Sequence, residues 1–188
     1  MCREKSTYRL KRLDRQTVCK GAVLDFCRDT VELPDGRQEK WDFVHHRGGG
    51  GACVVPVLPD GRILMIRQYR PAIGRETLEL PAGGREDGES PARTAARELR
   101  EETGWDAGEL QYLCSLDTAV AYCDERTDLF LATGLTAAGE QTPDEAEEIR
   151  LTAKPLEEIL EGIRSGQIRD AKTVAGILAW AARLNRPV

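Results

Sequence analysis

The sequence predicts an α+β fold, with helices layered on mixed β-sheet. Three observations carry that expectation. Short alternating or apolar segments bounded by turn residues fill the first eighty positions; a single strong helix-forming stretch, residues 91–103, follows; and after further strands two amphipathic helical patterns close the chain. With 188 residues, 40% of them apolar, the chain can bury the core of one compact domain plus a small appendage.

Residues 7–27 place Val18, Ala22, Leu24 and Phe26 at strand spacing. Pro34-Asp35-Gly36 is turn chemistry between Val31-Glu32-Leu33 and Trp41-Asp42-Phe43-Val44, so a hairpin is expected there. Residues 1–47 therefore read as a small antiparallel β lobe and 48–188 as the main domain. The four glycines at 48–51 read as a flexible junction. No Lys-Ser/Thr and no helical pattern follows them, which argues against a phosphate-binding loop.

Residues 52–57 form a buried strand, Pro59-Asp60-Gly61 a turn and residues 63–69 the returning strand. Residues 76–80 form the next strand and lead through Pro81-Ala82-Gly83 to the long helix. Ser90 is a favoured N-cap, Pro91 suits the first helical position and Gly104 suits the stop. Ala92, Ala95, Ala96 and Leu99 give that helix a narrow apolar stripe. Residues 110–116 and 127–132 read as strands around the irregular Ala119–Glu125. An acidic loop at 140–148, a strand at 149–153 and helices at 156–165 and 173–184 complete the chain, with Asp170 a candidate cap.

Glu98, Glu101 and Glu102 fall at i, i+3 and i+4, which puts their Cβ atoms about 5–6 Å apart on one side of the helix. Like charges so placed repel, and a hard divalent cation would relieve them; oxygen-only ligands suit Mg²⁺ or Mn²⁺. Six scattered cysteines without a Cys-x-x-Cys pair argue against zinc and for reduced thiols in a cytoplasmic setting. A net charge of −5 argues against nucleic acid or anionic membrane as partner. Apolar runs are too short to span a bilayer, and the polar start Met1-Cys2-Arg3-Glu4-Lys5 is not a signal peptide.

The spacing of residues 83–105 goes further. Gly83, five residues, Glu89, seven residues, then Arg97-Glu98-Leu99-Arg100-Glu101-Glu102-Thr103-Gly104-Trp105 resembles the Nudix box at every fixed position. Arg67-Gln68-Tyr69-Arg70-Pro71, Leu78-Glu79-Leu80-Pro81-Ala82-Gly83, Asp128-Leu129-Phe130-Leu131-Ala132 and Asp170-Ala171-Lys172-Thr173 are similar to the ADP-ribose pyrophosphatase branch. One departure is that Ala119-Val120-Ala121 stands where that branch carries Ser-Pro-Gly, which leaves GDP-mannose or a dinucleotide open as alternative substrate.

The resemblance implies the Nudix fold, an α/β/α sandwich around a mixed sheet, and Mg²⁺-dependent hydrolysis of the diphosphate in ADP-ribose or a related nucleoside diphosphate sugar. It implies Glu98 and Glu102 as main metal ligands, Glu101 as a further one and the Ala82 carbonyl as another. Arg97 would hold a carboxylate, and Gly83, Glu89 and Gly104 would serve structure. A loop glutamate would be the base, Glu147 first and Glu145 next. Arg70 would clamp phosphate, Trp41 would stack the base, His46 would touch substrate, and Glu125 would either contact substrate or be a third candidate for the catalytic base. It also implies a homodimer formed through the N-terminal lobe. Rival readings are a non-catalytic ADP-ribose sensor, opposed by the complete set of box carboxylates, and a nucleoside-triphosphate hydrolase, which needs no N-terminal lobe.

Overall fold

A computed structural model describes residues 9–143 and 148–185, which divide into two compact units. The first holds residues 9–49 and Ala119–Glu125, and the second Gly50–Thr118 and residues 126–185.

In the first unit, β1 (Lys11–Lys20), β2 (Leu24–Glu32) and β3 (Gln38–His46) form an antiparallel sheet in that order. The β2–β3 turn closes through Leu33 N–H to Arg37 O, 2.8 Å, with Gly36 at φ 85°. β2 alternates: Asp25, Cys27, Asp29 and Val31 are buried, while Leu24, Phe26 and Arg28 face out. The two buried carboxylates are paired, as buried charge must be. Arg15 grips Asp29 with Nε and Nη2 at 3.0 and 3.1 Å, and Arg47 Nε reaches Asp25 at 2.9 Å. Arg15 also lies over the Phe43 ring, 3.7 Å from its centroid.

The segment Ala119–Glu125 belongs with this sheet, whereas the sequence reading assigned it to the main domain. Its polar groups explain why. Val44 N–H donates to Tyr122 O at 2.6 Å, His46 N–H donates to Asp124 Oδ1 at 2.9 Å, and His45 Nδ1 lies 2.7 Å from Asp124 Oδ2. The segment thus covers part of the open β3 edge.

The second unit runs β4 (Gly50–Pro56), β5 (Ile63–Arg70), a 3-10 turn (Pro71–Ile73), β6 (Arg75–Glu79), β7 (Ala82–Gly84), α1 (Pro91–Thr103), β8 (Trp105–Asp106), β9 (Glu109–Asp117), β10 (Arg126–Thr133), β11 (Thr136–Ala137), β12 (Arg150–Lys154), α2 (Leu156–Arg164) and α3 (Ala171–Arg183). Its main sheet has the order β7-β4-β10-β9, with β4 and β10 parallel and the rest antiparallel; a second has the order β12-β5-β6. β4 is buried on both faces, as a strand between two helical layers must be. Cys53 and Val55 pack with Leu129, Ile159, Ile177 and Trp180 on the α2/α3 side. Ala52 and Val54 pack with Ala95, Leu99 and Phe130 on the α1 side. This is the expected mixed α+β layering.

The glycine run at 48–51 is not simply a flexible joint. Gly50 and Gly51 are buried in β4, and Gly50 takes φ 125°. A Cβ on Gly50 would overlap the Arg126 carbonyl, and one on Gly51 the Gly83 carbonyl. Close strand approach, rather than mobility, requires them. Among the described residues, no helix is long and apolar enough to cross a membrane.

Candidate active site

The site is built where β7 meets α1. Ser90 caps α1, its Oγ accepting from Arg93 N–H at 3.4 Å; Pro91 opens the helix, and Gly104 ends it at φ 72°. These local signals fix the helix register, and the register then puts Glu98 and Glu102 on the buried face beside Ala95 and Leu99, with Glu101 at the rim.

Each box residue has a visible contact. Gly83 carries no side chain because a Cβ there would coincide with the Glu98 carboxylate. Ala82 N–H donates to Glu102 Oε2 at 2.9 Å. Pro81 O and Arg85 N–H face β4, bonding Val54 N and Gly50 O. Alternation along the strand therefore turns the polar groups of Ala82 to the open edge, on the side where Glu102 lies. Arg97 is the hub. Its Nη1 reaches Glu98 Oε1 at 2.6 Å and Glu101 Oε2 at 2.9 Å, and its Nη2 reaches Gly84 O at 2.8 Å and Glu89 Oε2 at 3.1 Å. Glu89 also accepts from Thr94 Oγ1 at 2.9 Å.

The Arg97 guanidinium has four carboxylates within 4.0 Å, those of Glu86, Glu89, Glu98 and Glu101, and Glu102 stands one turn on from Glu98, so negative charge is concentrated at the site. Burial works to lower the Arg97 pKa, but the hydrogen bond to Glu89, the charge of Glu98 and the hydrogen bonds to Glu101 and Glu98 outweigh it, and the net shift is upward. The Arg97 hydrogen bonds in turn hold Glu89 down at about 2. The carboxylates are turned to Arg97 and to the Ala82 N–H, and among the described residues no three His, Cys, Asp or Glu groups stand already gathered as a cage. The donor chemistry nevertheless fits a divalent cation, since every candidate ligand is a carboxylate or carbonyl oxygen.

Arg70, at the end of β5, forks onto Glu79 through Nε and Nη2 at 2.8 and 2.7 Å. Glu79 is buried, and it also takes Thr77 Oγ1 at 2.5 Å and Lys172 Nζ. Burial alone would raise its pKa, but Arg70 and Lys172 bring it down to about 2. Lys172 continues to Asp170 at 3.0 Å, and Asp170 Oδ2 caps α3 by accepting from Thr173 N–H at 3.0 Å and Thr173 Oγ1 at 2.6 Å. Thr173 Oγ1 accepts from Leu80 N–H at 2.8 Å. Asp170 caps this helix as its sequence position suggests, whereas sequence reasoning gives no role to Glu79, Lys172 or Thr173, although a charged residue inside the apolar Leu78-Glu79-Leu80 is a signal.

In the first unit, Trp41 is 46% exposed, so it is not a core tryptophan. His46 is half-buried with Nδ1 unpartnered, and Glu125 is half-buried at the end of the Ala119–Glu125 segment. Glu145 and Glu147 lie outside the described residues.

Comparison with known proteins bears on the family and the fold. The NUDIX domain profile matches residues 49–175. An ADP-ribose pyrophosphatase of Bacillus subtilis (strain 168) is 36% identical over 174 residues, covering 89% of this chain and 93% of its own. A methanol dehydrogenase activator of Bacillus methanolicus is 36% identical over 171 residues, covering 89% and 90%. A crystal structure of an ADP compounds hydrolase superposes with a TM-score of 0.82 over 98% of this chain and all of its own; at 22% identity it speaks for the fold. On the match across more than half its length and on these relatives, the chain belongs to the Nudix hydrolase family.

Proposed function

We propose that this Nudix hydrolase splits the phosphoanhydride of ADP-ribose, or of a closely related nucleoside diphosphate sugar, by adding water to give AMP and a sugar phosphate. The observation that carries this reading is the carboxylate cluster on α1, gathered about Arg97 and packed against Gly83 and Ala82. The 36% identity to an ADP-ribose pyrophosphatase supports the substrate class.

Glu98 and Glu102, with Glu101 and the Ala82 carbonyl, would hold Mg²⁺, and Mn²⁺ would substitute. When bound, the ion supplies charge neutralisation at the diphosphate and a more acidic water. Arg97 keeps the carboxylates oriented by bidentate and shared hydrogen bonds. Arg70 presents its guanidinium to a phosphate oxygen, aligned by Glu79. Glu147, or Glu145 beside it, accepts the proton of the attacking water. Trp41 stacks the nucleobase, with Glu125 and His46 contacting substrate. The protein acts as a cytoplasmic homodimer.

The test is a substrate panel of ADP-ribose, GDP-mannose, NADH and nucleoside triphosphates, each with Mg²⁺, with products separated by chromatography. AMP and ribose 5-phosphate from ADP-ribose, at the highest kcat/KM of the panel, are expected. Preference for GDP-mannose or a triphosphate would overturn the substrate assignment.

A further inference from the structure

The first turn of α3 contains a cation where the helix dipole favours anions. Lys172 occupies the second position of that helix, its side chain is only 17% exposed, and it binds Glu79 and Asp170. An ammonium that far from water is stable only if paired. Its two partners are not equivalent. Asp170 is already served by Thr173 N–H, by Thr173 Oγ1 and by the N-terminus it caps. Glu79 has no helix end to answer its charge, and Arg70 is its other cationic partner.

That asymmetry matters at Arg70. The fork engages Nε and Nη2, so Nη1 is the donor turned away from Glu79. With Lys172 absent, the Arg70 charge would be cancelled by Glu79 and its attraction for an anion would fall. With Lys172 present, Glu79 orients the guanidinium while a second cation offsets the carboxylate.

We propose that Lys172 is a positioning residue for substrate binding, acting through Glu79 to keep the charge of Arg70 available to the diphosphate. This rests on the diphosphate-hydrolase reading and on Arg70 as its phosphate contact.

The test is a set of kinetic cycles on ADP-ribose with Mg²⁺, using the wild type, Lys172→Met, Arg70→Ala and their double variant. Lys172→Met should raise KM about tenfold with kcat within about threefold, the mark of lost ground-state binding. In the Arg70→Ala background the same change should raise KM no further, because coupled sites are non-additive. Glu79→Gln/Lys172→Met, which removes the carboxylate together with the ammonium that offsets it, should return KM towards the wild-type value and carries the test if Lys172→Met folds poorly. An unchanged KM in Lys172→Met, effects that multiply in the double variant, or no recovery with Glu79→Gln would each overturn the role. A wild type that leaves ADP-ribose intact would instead strike the proposed function.

Discussion

At the residue scale, pairs of opposite charge are held in places where a lone charge would be costly. Glu79 and Glu89 both sit near pKa 2 against an ordinary value of 4.5, the first through Arg70 and Lys172 against the cost of burial, the second through Arg97. A carboxylate with a depressed folded pKa stabilises the fold fully above its unfolded value and loses that contribution as pH falls towards the folded one. Urea midpoints should therefore hold steady down to about pH 5 and fall steeply from about pH 4.5 towards 2. Glu79→Gln should flatten part of that slope, and a slope identical to the wild type would show that Glu79 is not the group responsible. Gly83 makes a separate prediction. A methyl at that position displaces the Glu98 carboxylate, so Gly83→Ala should weaken Mn²⁺ binding at least tenfold by titration while lowering the melting temperature little. Unaltered Mn²⁺ affinity would remove Glu98 from the ligand set.

At the element scale, what was legible in the sequence depended on how local its cause is. The start and stop of α1 are set by Ser90, Pro91 and Gly104, which act within one turn of the helix ends, so the boundaries were readable. β4 was readable from its apolar run. β7, three residues of Ala and Gly, was not, because only its pairing with β4 makes it a strand. The bonds from Leu80 and Glu79 to the first turn of α3 join residues 93 positions apart, and no local pattern announces them. The glycine run misled for a related reason: glycine signals flexibility in isolation, but at Gly50 and Gly51 the cause is backbone from β10 and β7 pressing close. Gly50→Ala should consequently cost several kcal/mol, through overlap with a backbone carbonyl and a φ that L residues rarely adopt. Chemical denaturation measures it, and a loss under about 1 kcal/mol would return the run to a mere linker.

At the scale of the whole molecule, the first unit poses the question of cover. Every described residue of β1 is exposed, and Leu13, Val18, Leu24, Phe26 and Trp41 are large apolar side chains facing out. A three-stranded sheet with so much bare apolar surface is marginal alone. A second copy of the chain is the proposed cover, and light scattering should report about twice 20.9 kDa. A monodisperse monomer with full activity would contradict the dimer. The central claim lies in the second unit, in the carboxylates of α1. It is tested most directly by kcat of Glu102→Gln on ADP-ribose at saturating Mg²⁺, since the amide keeps the shape and removes one charge. A fall of about a thousandfold or more is the predicted result, while a value within about tenfold of the wild type would contradict a catalytic metal held by Glu102.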